Sequence, residues 1–342
     1  MRGSSANPSL TVFAETAPHP NPLPAKSGAR EHNPVAVIDL HPHSNIRGSL
    51  FMAVGMASFT MNDAITKEMS SEMNFGQVML VRSVFTMLLI AALFLRQSRV
   101  RKLSSATVKP IALRVTAEVA GTIAFLTAIV HLPLADAAAI FQALPLAVTL
   151  GAALFLGEAV GWRRWLAISA GFIGVLVIIR PGLVGFSQFS LYALLSVVFF
   201  AVRDLATRRI PAQVPSLFVS FVTTVAVMIT GGFILFPLGG WTPMSGKGVS
   251  LLALAAVLVL VGYQCLIIAL RNGDISAIAP FRYTALLWAI LLGYLVFGDV
   301  PDAMMATGAT IIVLSGLYTF HRERKLARLV AASASAVPPE GV

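Results

Sequence analysis

Long apolar runs separated by short polar linkers dominate the chain after Arg47. Ten are visible, at about 49–68, 75–95, 110–130, 135–156, 162–180, 190–209, 214–236, 249–270, 276–297 and 302–320. A bilayer core about 30 Å thick needs about 20 helical residues. The pattern therefore predicts an all-α integral membrane protein with ten transmembrane helices. Several runs contain Gly or Pro, which membrane helices tolerate better than soluble ones. Residues 1–47 are rich in Pro, Asn, Ser and His and lack periodicity, so they read as a disordered cytoplasmic tail. Their histidines His19, His32, His41 and His43 have no fixed geometry, and no metal site is expected there.

The polar interruptions recur. Asn62-Asp63-Ala64-Ile65-Thr66-Lys67 closes the first run, and a shift of 141 positions (204 minus 63) places Asp63, Thr66 and Lys67 on Asp204, Thr207 and Arg208. The same shift relates Phe59 to Phe200, Gly121 to Gly262, Ala128 to Ala269, Gly157 to Gly298 and Glu158 to Asp299. A fixed offset that matches polar and small residues alike predicts two structural repeats, at 48–182 and 189–320. Five helices per repeat is an odd number, so the second repeat enters the membrane upside down relative to the first. Many secondary transporters share this inverted arrangement.

Composition agrees with a membrane protein. The 342 residues are 57% hydrophobic and 12% charged, with a mean hydropathy of +0.82; soluble domains carry about 25% charged residues. The net charge of +10 raises the question of nucleic acid, and the placement of the charges answers it. With the amino terminus inside, the inner loops and tail hold Arg96, Arg99, Arg101, Lys102, Lys109, Arg163, Arg164, Arg208, Arg209, Arg271, Arg322, Arg324, Lys325 and Arg328. The outer loops hold Lys67, Arg180 and Lys247. This asymmetry follows the positive-inside rule, puts both termini in the cytoplasm with 321–342 as a basic tail, and leaves no role for nucleic acid. The single cysteine, Cys265, lies in an apolar run and reads as a small buried hydrophobe.

The stretch 135–182 reads ADAAAIFQALPLAVTLGAALFLGEAVGWRRWLAISAGFIGVLVIIRPG, and 276–318 repeats a variant of it. Small residues entering a helix, a mid-helix Pro, a terminal Gly-Glu, a basic linker with Trp and a Gly-rich helix ending in Pro-Gly resemble the EamA domain of the drug/metabolite transporter superfamily. The resemblance spans about 49–320 and implies ten helices in two repeats with both ends in the cytoplasm. It departs at Asp299, where the family usually shows Glu. It also implies small-molecule transport, with solutes ranging over amino acids, S-adenosylmethionine, riboflavin and nucleotide-linked sugars.

Charges inside the membrane are the informative positions, since each costs about 2.5–3.5 kcal/mol at mid-bilayer. Arg114 and Glu118 stand four apart on the third helix, as a self-neutralising pair or as a charged cavity wall with Glu118 carrying protons. Asp63 with Lys67 and Asp204 with Arg208 have the same spacing and read as anchoring pairs or as carboxylates of the substrate cavity, and Asn62 bridges helices or meets substrate. Arg82 is a partner for Asp63 or Glu118, or a counter-ion for a substrate carboxylate or phosphate. Arg203 joins these as a further intramembrane charge. Pro280-Phe281-Arg282-Tyr283 is the preferred site, because a proline-loosened helix lines a cavity or is covered by protein. Gln142, Tyr263 and Gln264 offer hydrogen bonds, and Trp288 an aromatic wall. Glu158 and Asp299 read as helix-end or gating carboxylates. The small residues of the fifth and tenth helices let them buttress the others or pair across a homodimer.

No phosphate-binding loop, H-E-x-x-H or G-x-S-x-G occurs, and no cofactor is expected. The expectation is an inner-membrane secondary transporter that exports a small zwitterionic or amphiphilic metabolite such as an amino acid. Uptake of a vitamin or cofactor such as riboflavin or S-adenosylmethionine is the alternative, with a non-transporting receptor or assembly protein and an intramembrane enzyme as further rivals.

Overall fold

The computed structural model describes residues 42–95, 105–157, 161–211, 213–272 and 278–335. His19, His32, His41, Arg96, Arg99, Arg101, Lys102 and Glu158 lie outside them. The described residues are helical: α1 (Pro42–Glu72), α2 (Phe75–Leu95), α3 (Ser105–His131), α4 (Leu134–Phe141), α5 (Leu144–Leu156), α6 (Trp162–Ile179), α7 (Phe189–Arg208), α8 (Ser216–Leu235) and α9 (Gly246–Asn272). A 3-10 turn (Ala279–Tyr283), α10 (Thr284–Leu292), a π-helical turn (Gly293–Phe297) and α11 (Ala303–Ser335) follow in the described residues. α1 starts at Pro42, before the first apolar run, since proline's fixed φ suits a first helical turn. The tail expected to be unstructured through 47 is therefore helical from 42, and the basic tail continues α11 as far as Ser335.

Nine stretches among the described residues are long and apolar enough to cross a membrane. Two of them are composite. α4 and α5 form one crossing, broken at Gln142–Ala143 because Pro145 has no N–H to continue the ladder. The 3-10 turn, α10 and the π turn form another, broken by Pro280. α1 is 31 residues long but carries Arg47, Asp63, Lys67, Glu68 and Glu72, so its apolar character is diluted.

Four antiparallel pairs join the halves. Along α1 and α9, Gly48 meets Ala269, Gly55 meets Gly262, and Met69 approaches Gly248. Along α3 and α7 the contacts run from Arg114–Thr207 through Glu118–Arg203 and Gly121–Phe200 to the stacked rings of His131 and Phe189, 3.7 Å apart. α2 packs on α8 through Gly76 and Gly231, and α6 on α11 through Gly174 and Gly308. The shift of 141 converts the α1/α9 pair into the α7/α3 pair and the other two pairs into themselves. Only a two-fold axis perpendicular to the helices does this, which is an inverted repeat. The side chains obey it closely. Phe59 lies over Gly262 as its equivalent Phe200 lies over Gly121, and a Cβ at either glycine would meet the ring at 2.9 or 3.1 Å.

Lipid offers apolar side chains nearly the same surroundings as the protein interior, so close van der Waals fit drives such helix pairing. Gly171, Gly174, Gly308 and Ser315 face one another between α6 and α11, so of the two roles expected for these helices the structure displays buttressing within the chain. A Cβ at Gly308 would stand 2.5 Å from the Gly174 carbonyl oxygen, and backbone cannot rotate away. Gly308→Ala is thus expected to lower unfolding stability in detergent by about 1–3 kcal/mol through overpacking. Gly161→Ala, facing open space, is the control and should change it by less than about 0.5 kcal/mol. Equal effects of the two would refute this account of the seam.

Helix ends show why the repeated glycines occur. Gly157 ends α5 with φ 68°, and its equivalent Gly298 ends the π turn with φ 71°, the left-handed conformation that L side chains resist. At the start of α2, Asn74 caps the helix by accepting from Gln77 N–H at 3.0 Å. The fully buried Gln77 amide then donates to the Thr242 carbonyl at 2.7 Å and accepts from Thr242 N–H at 2.8 Å, fixing the loop before α9.

Candidate functional site

Each half carries a polar cluster built on the residue that precedes its aspartate. In the first half, Asn62 Nδ2 donates to Asp63 Oδ1 at 3.0 Å, while Asn62 Oδ1 accepts from Arg82 Nη1 at 3.2 Å. Arg82 also reaches Thr66 Oγ1 at 3.4 Å and acts electrostatically on Asp63. A neutral amide suffices here, because it lies between an anion and a cation. In the second half the equivalent of Asn62 is Arg203, which lies between two anions. Its Nε donates to Asp204 Oδ1 at 2.8 Å and its Nη1 lies 3.3 Å from Glu118 Oε2. Arg203 also sits 4.5 Å over the Phe200 ring.

The threonines complete the parallel. Thr66 corresponds to Thr207, and Arg82 to Thr223. Arg114, reaching across from the first half, donates from Nε to Thr207 at 3.1 Å and from Nη1 to Thr223 at 2.6 Å. In each half the threonine three residues beyond the aspartate is held by a guanidinium, supplied by α2 in one case and by α3 in the other.

These geometries revise three expected pairings. Glu118 pairs with Arg203 rather than with Arg114, because the antiparallel α3/α7 packing sets Arg203 opposite it while Arg114 reaches Thr207 and Thr223. Asp204 is bound by its neighbour Arg203 rather than by Arg208. Lys67 turns away from Asp63 and donates to the carbonyls of Ile129 (3.2 Å) and Leu132, the unsatisfied end of α3. Its ammonium lies 5.2 Å from the Phe297 ring.

The remaining expected residues divide between the clusters and their surroundings. Tyr263 packs edge-on against Phe59 at 5.1 Å and interacts electrostatically with Glu118, Arg203 and Arg114. Gln264 and Trp288 are exposed and lie outside the hydrogen-bonded clusters. Gln142 donates to the Arg282 carbonyl at 3.4 Å, so the two helix breaks touch one another. Tyr283 is buried against Gly316. Asp299 follows the Gly298 cap, but the residue that caps α11 is Asp302, which accepts from Met305 N–H at 2.8 Å. Outside the membrane spans, Arg180 is hydrogen-bonded to Asp302 and holds that carboxyl below its usual range. Arg203, Thr207 and Thr223 are the parts that helical spacing alone did not assign; the 141-residue shift applied to Asn62, Thr66 and Arg82 points to all three.

The two ends of the molecule differ. Asn62 and Thr66 are 4% and 1% exposed, whereas Thr207 and Arg208 are exposed. On that second side lies a cavity of about 260 Å³ whose lining includes Arg164, Asp204, Arg208, Arg282, Gly316 and Thr319. The end at the carboxyl terminus of α1 is sealed, and the end at the carboxyl terminus of α7 is hollow.

Comparison with known proteins gives the same architecture. The chain is 25% identical over 291 residues to a riboflavin transporter of Rhizobium johnstonii, covering 84% of this chain and 96% of that protein. It is 29% identical over 281 residues to the pseudopaline exporter CntI of Pseudomonas aeruginosa, covering 79% and 95%. It is 30% identical over 202 residues to an S-adenosylmethionine uptake transporter of Rickettsia conorii, covering 56% and 65%. One solved crystal structure superposes with a TM-score of 0.56 at 18% identity, over 81% of this chain and 99% of that one, which speaks for the fold. Residues 46–180 and 189–320 each match the EamA-like transporter family, and the chain, a multi-pass membrane transporter, belongs to that family.

Proposed function

We propose that the protein is an inner-membrane secondary transporter that exports a small zwitterionic or amphiphilic metabolite by alternating access, with both termini in the cytoplasm. The observation that carries this reading is the difference between two equivalent ends. One half's threonine, Thr66, is buried beside the buried Asn62, while the other half's equivalent, Thr207, lies exposed on the side of a charged cavity. Two inverted halves that exchanged these roles would expose the cavity to the other side. With the amino terminus inside, the hollow end faces the cytoplasm, where an exported solute loads. Acidic and basic groups share that hollow, which suits a solute carrying both charges.

A second reading is uptake of a vitamin or cofactor, favoured by the names of the riboflavin and S-adenosylmethionine relatives. Counterflow in proteoliposomes separates the readings. Labelled amino acids, riboflavin and S-adenosylmethionine are offered in turn against an excess of unlabelled solute inside. Accumulation at least about tenfold above empty liposomes for one class is the expected result and selects the solute. Chemical conversion of the label would indicate an enzyme, and binding without accumulation a receptor; either would overturn the transport mechanism.

A further inference from the structure

Every guanidinium of the two clusters has a hydrogen-bond partner, and Arg282 belongs to neither cluster. Asn62 links Asp63 to Arg82, Asp204 and Glu118 share Arg203, and Arg114 is held by Thr207 and Thr223. Arg282 lies on the 3-10 turn, is half-buried, and lines the 260 Å³ cavity together with Arg164 and Arg208. Its backbone carbonyl is engaged by Gln142, but among the described residues its guanidinium makes no hydrogen bond or ion pair. The field of Asp204 reaches it, yet that carboxylate is already held by Arg203 at 2.8 Å. A second polar group nearby is also unsatisfied. Tyr283 is buried, and its hydroxyl lacks a hydrogen-bond partner among the described residues. That hydroxyl presses on Gly316, which forms part of the cavity wall.

From this geometry we infer that the cavity is an anion site, in which Arg282 grips a carboxylate or phosphate while Arg164 and Arg208 stand at its walls. Guanidinium groups bind such oxygens in bidentate fashion, and a guanidinium withdrawn from water without an acceptor is costly until one arrives. The cavity volume falls just under the range of about 300–1,000 Å³ that takes drug-sized ligands, so an anion of roughly amino-acid size fits. The inference rests on the transport reading and narrows it: the solute bears an acidic group, and Asp204 at the same wall is placed to meet a cationic one. A phospholipid phosphate offers the same chemistry from the bilayer, and the test separates the two sources.

The full chain is placed in nanodiscs of zwitterionic lipid, and its thermal unfolding midpoint is followed as sodium glutamate or inorganic phosphate replaces chloride at constant ionic strength. A saturable rise in the midpoint is expected, with the half-maximal concentration at least about tenfold higher in Arg282→Gln and partly restored in Arg282→Lys. A parallel series adds phosphatidylglycerol without soluble anion. A rise confined to that series, and lost in Arg282→Gln, assigns the site to a lipid headgroup. Wild type and Arg282→Gln responding alike in both series would overturn the inference. Counterflow of an uncharged solute, undiminished in Arg282→Gln, would then leave transport standing without an anion site.

Discussion

Replacing Arg203 with alanine is expected to abolish flux and to lower the stability of the folded protein by about 3 kcal/mol, the low end of the range for stranding a buried charge. Two carboxylates depend on this guanidinium. Glu118, with 14% of its side chain exposed, lies 3.3 Å away, and Asp204, 36% exposed, accepts at 2.8 Å. Exposure of Asp204 lets water compensate in part, which is why the lower figure applies. Without Arg203, two like charges would face each other across α3 and α7, and neither Arg82, which feels the charge of Glu118, nor Arg282, which feels that of Asp204, makes an ion pair with them. The check is a double-mutant cycle on solubilised protein, measured by chemical denaturation. Glu118→Gln combined with Arg203→Gln should recover most of the stability lost in Arg203→Gln alone, because the uncompensated charge is removed with its partner. Additive losses would show that the two side chains act independently, contrary to the geometry.

Much of this arrangement is legible in the chain itself. The offset that aligns Phe59 with Phe200 and Gly121 with Gly262 already encodes the two equivalent seams, since each ring lies over the glycine of the helix it packs against. Pro145 and Pro280 likewise announce the two broken crossings, because a missing N–H is a property of the residue alone. The charge pairing is not legible in the same way. Helical spacing brings Arg114 to Glu118 and Asp63 to Lys67, yet a long cationic side chain reaches as far between helices as along one. Which partner wins depends on the separation of α3 from α7 and on where α3 ends, and both are properties of tertiary packing. Arg203 is visible as an intramembrane charge, but its role as the bridge needs Glu118 on the facing helix. Trp288, expected as a cavity wall, is exposed because no position on its own helix specifies which face the neighbouring helices cover.

The two guanidinium–threonine pairs should act as opposed latches, and removing one should shift the molecule between its two orientations. Arg82 donates to Asn62 and Thr66 at the sealed end, and Arg114 donates to Thr207 and Thr223 at the hollow end. A charge-assisted hydrogen bond contributes about 1.5–3 kcal/mol, and every 1.4 kcal/mol is about tenfold in an equilibrium. Arg82→Ala is therefore expected to open the sealed end about 10- to 100-fold more often. A cysteine at Ala64, in a background where the buried Cys265 is serine, reports on it. Ala64 is 5% exposed and packed among Met79, Leu126, Ile129 and Ala289, so a membrane-impermeant maleimide added on the side of that end, the outside in the proposed orientation, reaches it only when that end parts. Alkylation should quicken by at least about tenfold in Arg82→Ala. In Arg114→Ala it should stay the same or slow, because the hydrogen bonds removed by that substitution belong to the opposite end. Equal acceleration by both substitutions would mean general loosening of the helices, and the latch mechanism would fall. The contrast between the two variants carries the test, since each removes one guanidinium from a threonine at an equivalent position of the repeat.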